Sequence, residues 1–187
     1  VGELADRLAP AVSLLIQHYD DKLARWVAFH GLEGTNITTI VAHQAALNLV
    51  LKRLICHLAG TGPLPDPAPA SCILAEADTC IQSAGWGHLP HSYLDDLALE
   101  NQVTIDVQVT AQLISFLKAN VQQDVIGALY SKLVPQDARR TLGQFWTPAP
   151  IAELMTQWVV QEPDDRVLDP AFGSGVFLLA AMKRLIT

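Results

Sequence analysis

Residues 166–175 read RVLDPAFGSG, and this stretch decides the fold of the C-terminal part of the chain. The apolar residues within 166–169 predict a short strand, which runs directly into a glycine-containing turn at residues 172–175. An apolar helical pattern begins at Val176 and continues to the last residue. A strand, a glycine turn and a helix in this order are typical of the opening of an α/β nucleotide-type fold.

The chemistry of this turn favours a ligand with a charged amino-acid end. Glycines let the backbone turn tightly and let a ligand come close to it. The free N–H groups of the following helix favour a carboxylate, and Asp169 at the end of the strand can accept hydrogen bonds from an ammonium group. S-adenosylmethionine carries both groups. The alternative is a plain structural turn that Asp169 caps through Gly173.

Two segments resemble motifs of one enzyme family. Residues 169–178, DPAFGSGVFL, resemble the S-adenosylmethionine motif DPxxGSGxFL of the amino-group DNA methyltransferases, and residues 142–148, LGQFWTP, resemble their GQ(F/Y)(Y/F)TP segment. Residues 124–130, DVIGALY, together with Arg139 and Arg140, are similar to the adenine-N6 enzymes of type I and fused type II restriction–modification systems. In those enzymes a helical domain precedes the methyltransferase domain. The resemblance covers roughly a third of the chain.

The resemblance implies S-adenosyl-L-methionine as the cofactor and gives roles to named residues. Asp169 would hold the methionine ammonium. The backbone around Phe172, Gly173, Ser174 and Gly175 would line the methionine and sugar, and Pro170 is a further cofactor-binding residue. The residues that would close the pocket from the other side are Phe145, Trp146, Thr147 and Pro148. The sequence departs from the pattern at Phe172, where the family often has Cys, and at Trp146, where Tyr or Phe is common. These departures matter little, because both positions can take an apolar residue, although a larger side chain would alter the shape of the pocket.

The family's catalytic motif, (D/N/S)PP(Y/F/W), does not occur in the sequence, so no catalytic residue is assigned. The acidic residue that binds a ribose is expected about 20 residues past the glycine turn, at or beyond the last residue. The chain also begins without Met and ends within a helical pattern. We therefore expect a fragment that is inactive by itself.

The predicted fold is mainly α: a helical N-terminal domain over residues 1–136, then the first strand and helices of a truncated Rossmann-like methyltransferase domain over residues 137–187. Apolar residues at spacings of three and four predict a helix over residues 4–30, with a kink or break at Pro10. Asn36 or Thr38 would cap a long central helix. The remaining predicted elements are a helix over 37–58, a helix over 71–84, a loop over 85–91, mainly helix over 95–132 with breaks near 101–106, a helix over 150–161 and a turn over 163–165.

The charge balance argues against a main DNA-binding surface in this part of the protein. The chain has 12 lysines and arginines and a net charge of -7, whereas neutralising phosphates needs clustered cations. DNA is therefore expected to bind mostly through regions outside the fragment, with specificity or nuclease subunits or fused domains as further partners. No apolar run is long enough for a membrane span and no secretory signal is present, so we expect a cytoplasmic protein.

The cysteines and paired acids do not predict a second site. Cys56, Cys72 and Cys80 are odd in number and lack a CxxC pair, which argues against a disulfide framework. A zinc site would have to use Cys72, Cys80, His88 and His91, whose spacing lacks the close pair of structural zinc sites, so no metal is expected. Asp95 and Asp96 are interpreted as a solvated helix end.

The sequence thus predicts part of a site-specific DNA adenine-N6 methyltransferase of a restriction–modification system. Two alternatives stay open at this point. One is an S-adenosylmethionine-dependent methyltransferase that acts on protein or RNA. The other is a helical interaction module in which the glycine turn is only structural.

Overall fold

The computed structural model describes residues 2–16, 21–29, 31, 37–60, 64–120, 123–134, 136–141 and 145–186. The described chain is mainly helical, as predicted. Its helices are α1 Gly2–Ile16, α2 Asp21–Phe29, α3 Ile37–Leu58, α4 Ala70–Ser83, α5 Tyr93–Glu100, α6 Val107–Ala119, α7 Val125–Leu133, α8 Gln136–Thr141, α9 Ala149–Val159 and α10 Val176–Ile186. Its strands are β1 Ala68–Pro69 and β2 Thr104–Ile105.

Helix α3 lies at the centre of the N-terminal part, which confirms the predicted helix over 37–58. Helices α1, α4, α5 and α6 all pack against it. Small side chains on α3 let these neighbours come close, and they are fully buried: Val41, Ala42, Ala45, Ala46 and Val50. Of the two predicted caps, Asn36 lies outside the described residues. Thr38 is wrong as a cap, because α3 already begins at Ile37.

Of the kink or break predicted at Pro10, the break is not formed. Pro10 lies inside α1, which continues through it to Ile16, and the second helix begins at Asp21. Proline removes one backbone hydrogen bond from a helix interior. The apolar face on either side of it is buried, at Leu8, Val12 and Leu15, and this packing offsets the loss.

A small antiparallel ribbon pairs the segment between α3 and α4 with the segment between α5 and α6. Ala68 of β1 pairs with Ile105 of β2, and Pro69 pairs with Thr104. The second strand occupies the break predicted near residues 101–106. Two residues per strand are too few to produce an alternating pattern, so the sequence did not predict the ribbon. The helix predicted over 71–84 and the loop over 85–91 are confirmed.

Helices α9 and α10 pack against each other and confirm the predicted helices on either side of the glycine turn. Ala152 and Ala180 are buried in this pair. Lys183 Nζ lies 2.6 Å from Glu153 Oε1 and joins the two helices at the surface. Within the described ranges, no helix is long and apolar enough to cross a membrane.

The strand predicted at residues 166–169 is not formed. These residues have no strand hydrogen bonds, and Leu168 is 85% exposed. A strand needs a hydrogen-bonded neighbour to satisfy its backbone N–H and C=O groups. None of the described residues provides one here, so this segment is irregular and the prediction is wrong for this structure.

Candidate functional site

The glycine turn begins helix α10. Its backbone closes through a hydrogen bond of 2.6 Å from Gly175 N to Phe172 O. Gly173 has φ +53° and Gly175 has φ +89°, a region that side chains with a Cβ rarely adopt. The sequence therefore predicted both the position of the turn and the reason for its glycines.

Trp146 covers this turn. Its ring atom Cζ3 lies 3.4 Å from the position that a Cβ on Gly173 would take, and its ring meets the Tyr130 ring edge-on at 5.5 Å. Phe145, in contrast, is 80% exposed. The segment around Trp146 and the glycine turn are about 25 residues apart in sequence, and the structure brings them into contact.

A cavity of about 510 Å³ lies between the turn and the helical region. Its volume is in the range of small-molecule sites, roughly 300 to 1,000 Å³. Two of its walls come from helices α3 and α7, which the sequence did not predict to take part in the site. The lining residues are Gln44, Leu47, Asn48, Leu51, Leu94, Ile126, Tyr130, Phe145, Trp146, Gly173 and Ser174.

The predicted site residues divide into two groups. Four of them line the cavity: Phe145, Trp146, Gly173 and Ser174. The others border the same segments without lining it: Thr147, Pro148, Asp169, Pro170, Phe172 and Gly175. Pro148 is the residue before the first turn of α9. It is Pro148 rather than Thr147 that takes the cap position.

Asp169 has one oxygen engaged and one without a partner. Its Oδ1 accepts a hydrogen bond of 3.1 Å from Ala171 N, so Asp169 caps the turn through Ala171 rather than through Gly173. Its Oδ2 is shielded from solvent and has no hydrogen-bond partner among the described residues, and the same holds for Nε1 of Trp146. Buried polar atoms without a hydrogen-bond partner are uncommon in proteins, and a ligand that pairs with such an atom removes the cost of leaving it unpaired. An acceptor for an ammonium group is therefore present beside the turn.

The sequence analysis also missed a contact between Asp124 and the glycine turn. Ser174 Oγ donates a hydrogen bond to Asp124 Oδ2, which joins the turn to the start of α7. Asp124 belongs to the segment DVIGALY, which resembles a segment of the family but was not assigned a role in the site. No local pattern could have shown the contact, because 50 residues separate the two partners.

The interpretation of Asp95 as solvated is wrong. Asp95 is fully buried, and its Oδ1 accepts hydrogen bonds from Lys52 Nζ at 2.6 Å and from Asn48 Nδ2 at 2.7 Å. Its Oδ2 accepts from Ser92 N at 2.8 Å. Burial raises the pKa of Asp95, but the hydrogen bonds from Lys52, Ser92 and Asn48 outweigh it and the pKa lies below its usual value. Asp96 is half-exposed and pairs with His91, as expected of a surface residue.

His88, His91 and Cys80, which were considered as zinc ligands, make other contacts. His91 Nε2 lies 2.7 Å from Asp96 Oδ1, and His88 Nδ1 lies 3.6 Å from Asp78 Oδ2. Cys80 is buried beside Cys56 in a small apolar cluster. In the part of the chain that the structure describes, no three His, Cys, Asp or Glu residues group together as metal ligands.

The C-terminal part of the chain is similar to known proteins. Residues 121–187 match the family described as N-6 DNA Methylase. The type II restriction enzyme and methyltransferase RM.BcgI of Heyndrickxia coagulans is 35% identical over 78 residues, which are 41% of this chain and 12% of that protein. The type II methyltransferase M.AccI of Acinetobacter calcoaceticus is 41% identical over 56 residues, 29% of this chain and 10% of that protein.

The resemblance stated from the two motifs is thus confirmed: residues 121–187 match the N-6 DNA Methylase family, and the chain is similar in part to two type II methyltransferases. The chain spans about a tenth of the length of these two relatives. No solved structure matches it significantly.

Proposed function

We propose that this chain is part of a site-specific DNA adenine-N6 methyltransferase of a restriction–modification system, with S-adenosyl-L-methionine as the methyl donor. The observation that carries the proposal is the contact between Trp146 and Gly173, which places the two motif segments on one cavity. The family match over residues 121–187 and the two type II relatives support it.

The residues beside the glycine turn suit the cofactor. Bound S-adenosylmethionine supplies an activated methyl group. The free Oδ2 of Asp169 would accept a hydrogen bond from its ammonium group. Trp146 would exclude water from the turn. The residues that would line the methionine and sugar are Pro170, Phe172, Gly173, Ser174 and Gly175, and Phe145, Thr147 and Pro148 would close the pocket with Trp146.

The same proposal gives the domain organisation. Residues 1–136 would form a helical domain, and residues 137–187 would open a Rossmann-like domain in which residues 166–169 become a strand once neighbouring strands pair with them. The apolar surface of this part supports further packing, because large exposed patches usually mark a covered surface. Its exposed apolar side chains include Leu154, Met155, Trp158, Val159, Leu168, Phe172 and Ile186.

DNA would be bound mostly by other regions of the protein, because this chain is acidic and has few cations. The group that contacts the target adenine would also lie elsewhere, so we expect these residues alone to be inactive. Specificity or nuclease functions would come from other subunits or fused domains. The name of RM.BcgI, a restriction enzyme and methyltransferase in one, supports a fused arrangement.

The test uses the full-length protein that contains this chain. Calorimetry with S-adenosylmethionine should show binding, and Asp169→Ala should weaken it at least about tenfold, which corresponds to ~1.4 kcal/mol. Asp96→Ala, which removes a half-exposed carboxylate far from the turn in sequence, should bind as the wild type does. Mass spectrometry of DNA incubated with the protein and cofactor should find N6-methyladenine.

Other outcomes would contradict the proposal. Methylation of protein or RNA in place of DNA would show a different substrate class. Absence of S-adenosylmethionine binding by the full-length protein would favour a helical interaction module with a structural turn.

A further inference from the structure

Asp124 makes two hydrogen bonds with its two carboxylate oxygens. Oδ1 accepts from Gly127 N at 2.7 Å and so caps the start of α7. Oδ2 accepts from Ser174 Oγ in the middle of the glycine turn. A single side chain therefore fixes the beginning of one helix and the turn that precedes another.

Gly127 makes this arrangement possible. A Cβ at residue 127 would overlap the carboxylate group of Asp124. Any other residue at this position would push the carboxylate away from its present place. The glycine of DVIGALY is thus required by the close approach of Asp124 and not by an unusual backbone angle.

The C-terminal part of α7 contacts Trp146, in the segment that is proposed to close the cofactor pocket. The Tyr130 ring meets the Trp146 ring at 5.5 Å with an interplanar angle of 60°, and Trp146 in turn covers Gly173. These contacts form a closed circuit. Asp124 accepts a hydrogen bond from Ser174 in the turn, Trp146 covers the turn, Tyr130 contacts Trp146, and α7 connects Tyr130 to Asp124. We call this circuit the α7 ring.

We propose that Asp124 is a positioning residue, which through the α7 ring holds the glycine turn in its binding conformation before the cofactor arrives. This inference rests on the proposed function. The turn has glycines on both sides of Ser174, each at positive φ, and such backbone is free to adopt many conformations. Fixing Ser174 from α7 removes that freedom in advance, so binding does not have to order the turn.

The experiment measures S-adenosylmethionine affinity of the full-length protein by calorimetry, with Asp124→Ala, Ser174→Ala and the double variant. Each single variant should weaken binding about tenfold, or ~1.4 kcal/mol. The double variant should be no weaker than the single ones, because both lose the same hydrogen bond. Asp124→Asn should restore most of the affinity, since its amide can cap α7 and donate to Ser174 Oγ.

Asp106→Ala is the matched control. Asp106 caps α6 through a hydrogen bond of 2.7 Å from Gln108 N, and it is not among the residues that line the cavity. Its loss should lower the free energy of unfolding about as much as Asp124→Ala does, and should leave the affinity unchanged.

Two results would overturn the inference while leaving the proposed function intact. One is wild-type affinity in Asp124→Ala and Ser174→Ala. The other is a double variant whose loss equals the product of the two single losses, which would mean that the residues act independently. A wild-type protein that does not bind S-adenosylmethionine would overturn both proposals.

Discussion

Lys52 Nζ of helix α3 lies 2.6 Å from Asp95 Oδ1 of helix α5, and both side chains are almost completely withdrawn from water. The pair lies inside a mainly apolar bundle, in which Arg53 and Thr110 are also buried. Asn48 donates a further hydrogen bond to the same carboxylate, and Ser92 donates two, one from its backbone N–H and one from its hydroxyl group. Removal of one partner would leave a buried charge without compensation.

Asp95→Ala should therefore destabilise the protein strongly. Breaking a buried ion pair by removing one partner costs ~3 to 5 kcal/mol, because the remaining ammonium of Lys52 stays buried and unpaired. Chemical denaturation followed by circular dichroism measures the loss. Asp96→Ala, one residue further along and half-exposed, should change stability by less than about 1 kcal/mol. Equal losses in the two variants would contradict the importance of the buried pair.

The same carboxylate should make stability depend on acid. Because the pKa of Asp95 is lower in the folded protein than in the unfolded chain, its contribution is complete above the unfolded pKa of about 4. The contribution is lost as the pH falls through the lower folded pKa. The free energy of unfolding measured from pH 6 down to pH 2 should thus fall less steeply in Asp95→Asn than in the wild type, and parallel curves would refute this.

Gly173→Ala should impair cofactor binding in the full-length protein. Alanine is disfavoured at φ +53°, and its Cβ would meet the Trp146 ring at 3.4 Å. We expect about 1 kcal/mol of lost stability from the backbone and a roughly tenfold loss of S-adenosylmethionine affinity.

Gly60→Ala is the control for backbone strain alone. Gly60 has φ +72° at the end of α3, and a Cβ there would meet nothing within 4 Å. The Gly60→Ala variant should lose a similar amount of stability, and its affinity for S-adenosylmethionine should be unchanged. If both variants lose affinity equally, the contact with Trp146 has no special role in binding.

The three cysteines should differ in their reactivity. Burial, together with the neighbouring Cys80, raises the pKa of Cys56 to about 12, and the thiol donates to Lys52 O at 3.3 Å. Thiols react as thiolates, so Cys56 should resist iodoacetamide in the native protein, as should the buried Cys80. Cys72 is only half-buried and should be modified first. Peptide mass spectrometry after brief labelling distinguishes the three, and early labelling of Cys56 would contradict the buried cluster.

The sequence predicted the elements whose signal is local. The long helix over residues 37–58 and the glycine turn follow from spacing and from residue type alone. The strand at residues 166–169 was not formed, because a strand depends on neighbours that the local sequence does not contain. Of the two outcomes predicted for Pro10, a kink or a break, the break is not formed, because the apolar face on both sides of it is buried.

The side-chain contacts of the site were beyond sequence reasoning for a different reason. Asp95 has the local features of a solvated helix start, and only Lys52, from a helix 43 residues earlier, reverses that interpretation. Likewise nothing near Asp124 points to Ser174. Such pairs are set by how the helices pack, and packing is decided by the whole chain.

The α7 ring also determines which segments can be exchanged between related proteins. A swap of helical regions made at residue 136 would bring in a foreign α7, and Ser174 and Trp146 would then face residues with which they did not evolve. A chimera joined before Asp124 keeps both partners of each contact from one parent. The working unit for recombination is therefore the glycine turn together with α7, whichever domain that helix is assigned to.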